Sequence, residues 1–189
     1  MRSSNRHWHE KECSLRACDS TRYEDSSGGA SEIAANSWQW TIARYNFDGS
    51  LDTSFGTPAG PIRTGYNVLP ISSNDLGASI GLINDDFAQF SFLLTANKVA
   101  VQADGKIIVA GTAYSNNKYR FAVARLLSDG SLDTSYNGTS ILLIPVKDIN
   151  DYSAGLALQA DGKIVLGGSA QRANGQLDFA VARVYGSCP

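Results

Sequence analysis

The sequence predicts an all-β protein that is assembled from repeated four-stranded antiparallel meanders. Three observations predict this fold class: two sequence blocks recur in alternation, their corners have the composition of β-turns, and the residues between corners alternate with a period of two. The 18 glycines among 189 residues, of which 43% are hydrophobic and 18% charged, fit a globular chain with frequent tight turns.

The two blocks define a repeat of nearly constant length. The first block occupies residues 99–111 and returns at 156–168, so Asp161 follows Asp104 by 57 positions. The second block occupies residues 40–56, 121–136 and, in its first half, 179–184. Arg125 and Arg183 are 58 positions apart, whereas Arg44 and Arg125 are 81 apart. The difference means that one repeat carries roughly 23 extra residues, which we expect within residues 66–94.

Each unit is predicted to contain four strands. In the last unit these are residues 156–159, 163–169 and 178–185, and in the preceding unit the fourth strand is 141–146. The Asp-Gly pairs at 104–105 and 161–162 predict two-residue hairpins of type I′, because this turn requires residues that tolerate positive φ.

The alternation of side chains favours sheets that are covered on both faces. In the third strand, Phe121, Val123 and Arg125 share one face, and the small or apolar Ala122, Ala124 and Leu126 share the other. The second strand is apolar on both faces at residues 107–110. Sheets that stack face to face, with large side chains against small ones, satisfy both patterns, as the blades of a β-propeller do.

The blocks resemble the delta-60 repeat, a bacterial repeat family of unknown function that is assigned to β-propellers. The matching sequences are the Gln-Ala-Asp-Gly-Lys-Ile runs, the Ala-Val-Ala-Arg-Leu and Thr-Ile-Ala-Arg-Tyr strands, and the Asp-Gly-Ser-Leu-Asp-Thr-Ser turns, all within residues 38–185. The resemblance implies a propeller fold and no known activity. This chain departs from the pattern through its insertion, its last unit without the Leu-Asp-Thr-Ser turn, and its first unit without the Asp-Gly-Lys hairpin.

The repeat count predicts an incomplete ring in one chain. We expect a repeat domain at 38–189, which is about 2.7 units of 57 residues, after a non-repeat segment at 1–37 that fits a disordered tail, a short helix or foreign sequence. Propellers typically close with ~4–8 blades. The expected partners are therefore further copies of the chain or a larger parent chain that completes the ring, unless the insertion and the N-terminal segment cap the open ends.

Charge and hydropathy exclude several partners. Sixteen basic and 18 acidic residues give a net charge of −2, so we expect no nucleic-acid ligand. No apolar stretch approaches the ~20 residues of a membrane span, and no secretory signal is visible. For a binding module we nevertheless expect a secreted or bacterial cell-surface location. The three cysteines do not predict a disulfide framework.

The recurring polar residues are expected to have structural roles, because a structural role recurs in every unit whereas a catalytic one usually does not. These residues are Arg44, Arg125, Arg183, Asp104, Gly105, Asp161, Gly162, Asp52 and Asp133. Anion binding by the arginines and calcium binding by the Asp-Gly-Ser-Leu-Asp turns are the alternatives. The turns lack the spacing of a calcium loop, so turn chemistry is the favoured interpretation.

The candidate binding residues lie outside the repeat pattern: Trp38, Asp85, Asp86 and Phe87. Adjacent acids in a strand point to opposite faces, which disfavours a catalytic carboxylate pair at 85–86. Two histidines and two cysteines within residues 7–18 could ligate zinc, but their spacing is not that of a zinc finger. We therefore expect no metal and no cofactor.

The sequence favours a non-catalytic binding or scaffold module that recognises a protein or a glycan. Recognition is expected in the loops at 66–94, 115–119 and 171–176, because loops on a rigid scaffold commonly carry function. The alternatives are a propeller enzyme that acts on carbohydrate and a purely structural repeat fragment. No nucleophile elbow, phosphate loop or catalytic serine motif occurs, so we expect no enzyme.

Overall fold

The chain folds into three stacked antiparallel sheets. The computed structural model describes residues 15–18, 24–34, 37–46, 48–72 and 96–186. The first sheet contains β1 (Leu15–Cys18), β2 (Glu24–Ala34), β3 (Ser37–Asn46) and β6 (Tyr66–Ser72). The second contains β7 (Ala96–Val101), β8 (Ile107–Ser115), β9 (Lys118–Leu126) and β10 (Ile141–Ile144). The third contains β11 (Asp151–Leu158), β12 (Ile164–Gln171) and β13 (Leu177–Val184), and β4 (Pro58–Ala59) pairs with β5 (Ile62–Arg63) in a separate hairpin.

Strands that are consecutive within a sheet are hydrogen-bonded neighbours, so each sheet is a meander. This confirms the predicted strand order of the repeat. The three sheets form an open array in the part of the chain that the structure describes. Strands β1, β7 and β11 share one edge of the array, since β7 lies against both β1 and β11.

The first sheet includes chain on both sides of residue 38, where we expected the repeat domain to begin. Strand β2 pairs with β3 from Glu24 opposite Asn46 to Ala34 opposite Ser37, and β1 pairs with β2. Serine, glycine and acidic residues dominate β2, so its sequence shows no strand pattern. Pairing with β3 determines its conformation, because strand formation depends more on tertiary context than on intrinsic propensity.

Four corners share one Asp-Gly turn geometry. Their glycines have φ between 80° and 84°, and the preceding aspartate Oδ1 accepts the backbone N–H of the residue after glycine at 2.9–3.2 Å. In the corner at 102–106, the Gly105 N–H donates to the Gln102 carbonyl at 2.9 Å and the Gln102 N–H to the Lys106 carbonyl at 2.8 Å. This is a type I turn that is followed by a left-handed glycine.

The predicted type I′ turns at 104–105 and 161–162 are therefore wrong, although both corners join antiparallel strands as expected. Only the glycine of each pair has positive φ. The aspartate keeps an ordinary negative φ, and its side chain accepts the hydrogen bond that stabilises the loop. A two-residue turn with both residues at positive φ occurs instead at Asn116 and Asn117, where φ is 52° and 59°.

Part of the extra length of the first repeat lies before residue 66. The Arg44 N–H donates to the Gly65 carbonyl as the Arg125 N–H donates to the Ser140 carbonyl, both at 2.9 Å, so Gly65 and Ser140 are equivalent. These pairs are 21 and 15 positions apart, so six extra residues precede residue 66 and include the hairpin β4–β5. The predicted placement of all the extra residues within 66–94 omitted this hairpin. Residues 73–95 lie outside the described part of the chain.

Large side chains of one sheet pack against small side chains of the next. In the first contact, Trp40, Ile42 and Leu69 of the first sheet meet the alanines of the second sheet at positions 96, 113, 122 and 124. In the second contact, Phe121 and Val123 meet side chains of the third sheet that include Ala170 and Ala180. Removal of this apolar surface from water stabilises the stack.

The two faces of β9 confirm the predicted alternation. Phe121 and Val123 belong to the second contact, while Ala122, Ala124 and Leu126 belong to the first, and all five are fully buried. One strand therefore separates two cores, which requires apolar residues at consecutive positions.

Candidate functional site

The repeated arginines lie at the turn end, which we define as the end of the sheets that carries the Asp-Gly corners 48–49, 104–105, 129–130 and 161–162. Arg44 and Arg125 are only 8% and 3% exposed. The Arg44 Nε donates to Asp52 Oδ2 at 2.6 Å, and the Arg125 Nε donates to Asp133 Oδ2 at 2.8 Å. Two equivalent buried ion pairs thus occur in consecutive units.

Each of these arginines also reaches the next sheet. The Arg44 Nη1 donates to the Ser128 carbonyl at 2.6 Å, and the Arg125 Nη1 donates to the Gly186 carbonyl. Ser128 and Gly186 stand three positions after Arg125 and Arg183, so the arginine of one unit binds the equivalent corner of the next. The repeated contact joins neighbouring sheets, as a structural residue would.

An aromatic ring lies beside each guanidinium. The Cζ atom of Arg44 lies 4.7 Å from the ring centroid of Phe55, and that of Arg125 lies 4.7 Å from the ring centroid of Tyr136. Cation–π attraction is strengthened where the cation is shielded from water. The aromatic residue that ends each Asp-Thr-Ser-Phe or Asp-Thr-Ser-Tyr turn therefore covers the arginine.

The carboxylates of these pairs remain ionised at neutral pH. Burial raises the pKa of Asp52 and of Asp133, but hydrogen bonds from Ser54 and Ser135 and the charges of the arginines lower each pKa below its ordinary value overall. Each carboxylate already accepts hydrogen bonds at both oxygens. This arrangement suits a fixed anion and not a group that transfers protons.

The other repeat positions have more exposed surroundings. The Arg183 side chain is exposed. The hydrogen bond from Lys163, and less strongly the charge of Arg183, lower the pKa of Asp161. Asp104 forms the matching ion pair with Lys106 at 2.6 Å. Both lysine–aspartate pairs lie across the Asp-Gly corners and contribute to turn geometry.

The candidate binding residues from the sequence fall largely outside the described residues. Asp85, Asp86 and Phe87 lie there, as do His7, His9 and Cys13 of the zinc hypothesis. Trp38 lies in β3 opposite Glu32 of β2. The roles of these candidate residues therefore stay predictions.

Within the described ranges, no three histidine, cysteine, aspartate or glutamate side chains form a group that could hold a metal ion. In the Asp-Gly-Ser corners, Asp129 Oδ1 accepts both the N–H and the hydroxyl of Ser131, and Asp48 does the same with Ser50. These contacts favour the turn interpretation of the aspartates. No helix with the length and hydrophobicity for a membrane crossing occurs in the same ranges.

The turn end has a shallow cavity beside the hairpin β4–β5. It encloses about 280 Å³ and is lined by Thr53, Ser54, Pro58, Gly60, Pro61, Ile62 and Arg63. Typical small-molecule pockets have volumes of ~300–1,000 Å³ and bury most of the ligand. The open shape and small volume make this cavity a poor candidate for the principal binding site.

The opposite end of the sheets carries two of the three segments in which the sequence predicted recognition, 115–119 and 171–176, while most of 66–94 lies outside the described residues. This loop end carries the turns at 116–117 and 172–176 and the connection at 145–150 between β10 and β11. Strand β6 ends there, with Ser72 opposite Gln39, and β7 begins there, with Ala96 opposite Gly111. The described connections at the loop end thus come from the second and third sheets, and the first sheet contributes the end of β6.

Three tyrosines form a ring cluster at the loop end. The ring centroids of Tyr114 and Tyr119 are 5.1 Å apart, and those of Tyr119 and Tyr152 are 5.5 Å apart. All three residues are half-buried. Burial, together with the charge of Asp151, raises the pKa of Tyr152. The tyrosine cluster, Tyr114, Tyr119 and Tyr152, presents aromatic surface where the second and third sheets meet.

Sequence reasoning missed the tyrosine cluster. A two-residue turn at Asn116 and Asn117 places Tyr114 directly opposite Tyr119, so this pair could have been found from hairpin register. Tyr152 joins the pair through packing between sheets, which no local sequence pattern indicates.

A polar frame fixes the connection beside the tyrosines. The Asn150 Oδ1 accepts the Tyr119 N–H at 3.0 Å, and the Asn150 Nδ2 donates to Gln171 Oε1 at 2.9 Å. The fully buried Asp151 carboxylate pairs with Arg120 at 3.1 Å and accepts backbone N–H groups from Val146 and Lys147. These contacts hold the surface in one arrangement before any ligand arrives.

Asp178, which pairs with Lys147 and Arg172 beside this frame, is poorly suited to acid–base catalysis. Hydrogen bonds from Arg172 and then from Lys147 lower the pKa of Asp178 to about 2, so that its carboxyl group is ionised at neutral pH. Asp151 accepts hydrogen bonds at both of its oxygens. Both acids lie in ion pairs, and the low pKa of Asp178 differs from the near-neutral pKa that suits a general acid.

Stacked meanders, buried arginine pairs that join consecutive sheets, and an open arrangement of the described residues define an incomplete β-propeller-like array. A family model described as a β-propeller domain of unknown function, DUF5122, matches residues 28–55, 102–136 and 159–184. Each matched segment contains the third strand of one unit: β3, β9 or β13. The chain is similar to that family over these segments, and the delta-60 name remains a prediction. Neither the curated proteins nor the solved structures gave a match.

Proposed function

We propose that this chain is a non-catalytic binding module that recognises a partner protein at its loop end. The supporting observation is the tyrosine cluster, which lies half-exposed beside Arg120 and Asn150. Tyrosine and arginine are enriched in protein interfaces, where a ring contributes large contact area at little entropic cost. The polar frame supports this role because a preorganised surface loses less entropy on binding.

Screening the full-length chain against peptide and glycan arrays tests the proposal. We expect peptide ligands, and titration calorimetry then measures their affinity for the unmodified chain and for Tyr119→Ala. Loss of a central aromatic contact typically costs ≥2 kcal/mol, which corresponds to a roughly 30-fold weaker Kd.

The matched control is Tyr66→Ala, because Tyr66 is an exposed tyrosine of the first sheet that lies at the turn end. We expect this variant to bind within about threefold of the unmodified chain. If both variants weaken peptide binding equally, or if Tyr119→Ala leaves it unchanged, the result would contradict recognition at the loop end. Ligands on the glycan array alone would replace the protein partner with a carbohydrate, and release of reducing sugar would indicate an enzyme.

A further inference from the structure

One face of the third sheet exposes residues whose counterparts are buried in the other two sheets. Trp40 and Ile42 of β3 are fully buried against the second sheet, and Phe121 and Val123 of β9 are fully buried against the third. The equivalent residues of β13 are Phe179 and Val181, which are 83% and 51% exposed. The same repeat position is thus core in two units and surface in the third.

Four exposed apolar residues and Arg183 form a continuous strip along β13 and the residue that follows it. We define the open face as Leu177, Phe179, Val181, Arg183 and Tyr185, which alternate along the strand and therefore share one side of the sheet. Leu177 is 41% exposed and Tyr185 is 64% exposed. A contiguous apolar strip that is matched by repeat symmetry to a buried interface is typical of an interaction surface.

The first sheet presents the opposite half of the same interface. In the second sheet, Ala122, Ala124 and Leu126 cover the first sheet and are fully buried. Their counterparts in β3 are Thr41, Ala43 and Tyr45, which point away from the second sheet and are only half-buried. Thr41 and Ala43 are small, like the alanines against which Trp40 and Phe121 pack within the chain. We define these three residues as the outer face.

We propose that the open face of one copy docks against the outer face of a second copy, head to tail. The occupant is a second copy because this chain itself carries both complementary halves of the contact. Two copies contribute six sheets, and a head-to-tail contact made twice closes a ring within the ~4–8 blades of known propellers. This inference is independent of the proposed recognition at the loop end.

The arginine of the open face would complete the contact. In the two contacts within the chain, Arg44 and Arg125 each bind the backbone carbonyl of the corner that follows the third strand of the next sheet. Arg183 forms no hydrogen bond of this kind with any described residue. Across the proposed interface, it faces the corner that follows β3 of the second copy.

Light scattering coupled to size exclusion tests the proposal with the full chain at tens of micromolar. The expected mass is that of two chains. Phe179→Asp places a charge in the contact and should yield a monomer with an unchanged far-UV spectrum, because Phe179 is exposed within one chain. Ala43→Arg places a charge in the outer face and should likewise yield a monomer. Ile62→Asp, at a residue 53% exposed on the hairpin β4–β5, should leave the dimer intact.

Mixing the two interface variants distinguishes head-to-tail docking from other arrangements. The Phe179→Asp chain retains an intact outer face, and the Ala43→Arg chain retains an intact open face. We therefore expect the mixture to form a one-to-one heterodimer, which native mass spectrometry detects, although neither variant self-associates. A monomeric unmodified chain, a dimer that survives Phe179→Asp, or two monomeric variants that fail to form a heterodimer would overturn the proposal. If the unmodified chain is a monomer, a further blade of a larger parent chain would be the occupant of the open face instead.

Discussion

Replacing Arg125 by methionine removes the positive half of a buried ion pair while it retains a long apolar side chain. The variant loses hydrogen bonds to Asp133, to Ser135 Oγ at 3.1 Å and to the Gly186 carbonyl. Asp133, only 4% exposed, then keeps its charge without a cationic partner. Removal of one partner of a buried pair costs ~3–5 kcal/mol. For a chain of this size, that loss lowers the melting temperature by about 6–20 °C.

Urea unfolding, followed by tryptophan fluorescence, measures the loss of stability. The control is Arg172→Met, which removes a side chain that is 51% exposed from its ion pair with Asp178 and should change the unfolding midpoint far less. In the double variant Arg125→Met/Asp133→Asn the unpaired charge is absent. We therefore expect it to be more stable than the sum of the single effects predicts, by ~0.5–3 kcal/mol. A loss below ~1 kcal/mol for Arg125→Met, or strict additivity, would refute the structural role of the pair.

Three further perturbations address the packing and the charges. Phe121→Ala empties a fully buried site between the second and third sheets and should reduce the unfolding free energy by ~3–5 kcal/mol in urea titrations. Gly130→Ala should be more destabilising than Gly162→Ala by ~1–3 kcal/mol, because both glycines have positive φ but only at Gly130 would a Cβ lie 2.7 Å from the buried Phe55 ring. The lowered pKa of Asp133 means that its contribution to stability is complete above its unfolded pKa, ~3.9, and is lost as the pH falls through the lower folded value. Thermal melts at pH 2–7 should show this loss below about pH 4, and Asp133→Asn should make it shallower.

The sequence predicted the meander and its two faces because both follow from local alternation. The apolar positions on both faces of β9 could be predicted without knowing which sheets pack against them. The structure places Phe121 and Ala122 in different cores. Strand β2 was not predicted, since a run such as Ser-Ser-Gly-Gly becomes a strand only through its pairing with β3. The turn type at 104–105 was wrong because two arrangements of Asp-Gly compete, and the side-chain hydrogen bond decides between them.

The candidate binding surface was only partly predictable. The structure places the 116–117 and 172–176 turns at one end of the array, and recognition by these loops stays a prediction. The tyrosines themselves belong to strands that are distant in sequence, and the contact between Tyr119 and Tyr152 depends on how two sheets stack. Repeat comparison did align Phe179 and Arg183 with Phe121 and Arg125, but only the structure reveals that this face of β13 is exposed.

The stacking of each sheet on the next is tested most directly by proton–proton contacts between Phe121 and Gly168 in solution. Gly168 lies in β12, and a Cβ at this position would lie 3.0 Å from Cζ of the Phe121 ring in the neighbouring sheet. A NOESY spectrum of the labelled chain should therefore contain strong cross-peaks between the Phe121 ring protons and the Gly168 α-protons. Cross-peaks from the Phe121 ring to Trp40 and the first sheet instead would contradict the assignment of the two faces, and with it the stacked array.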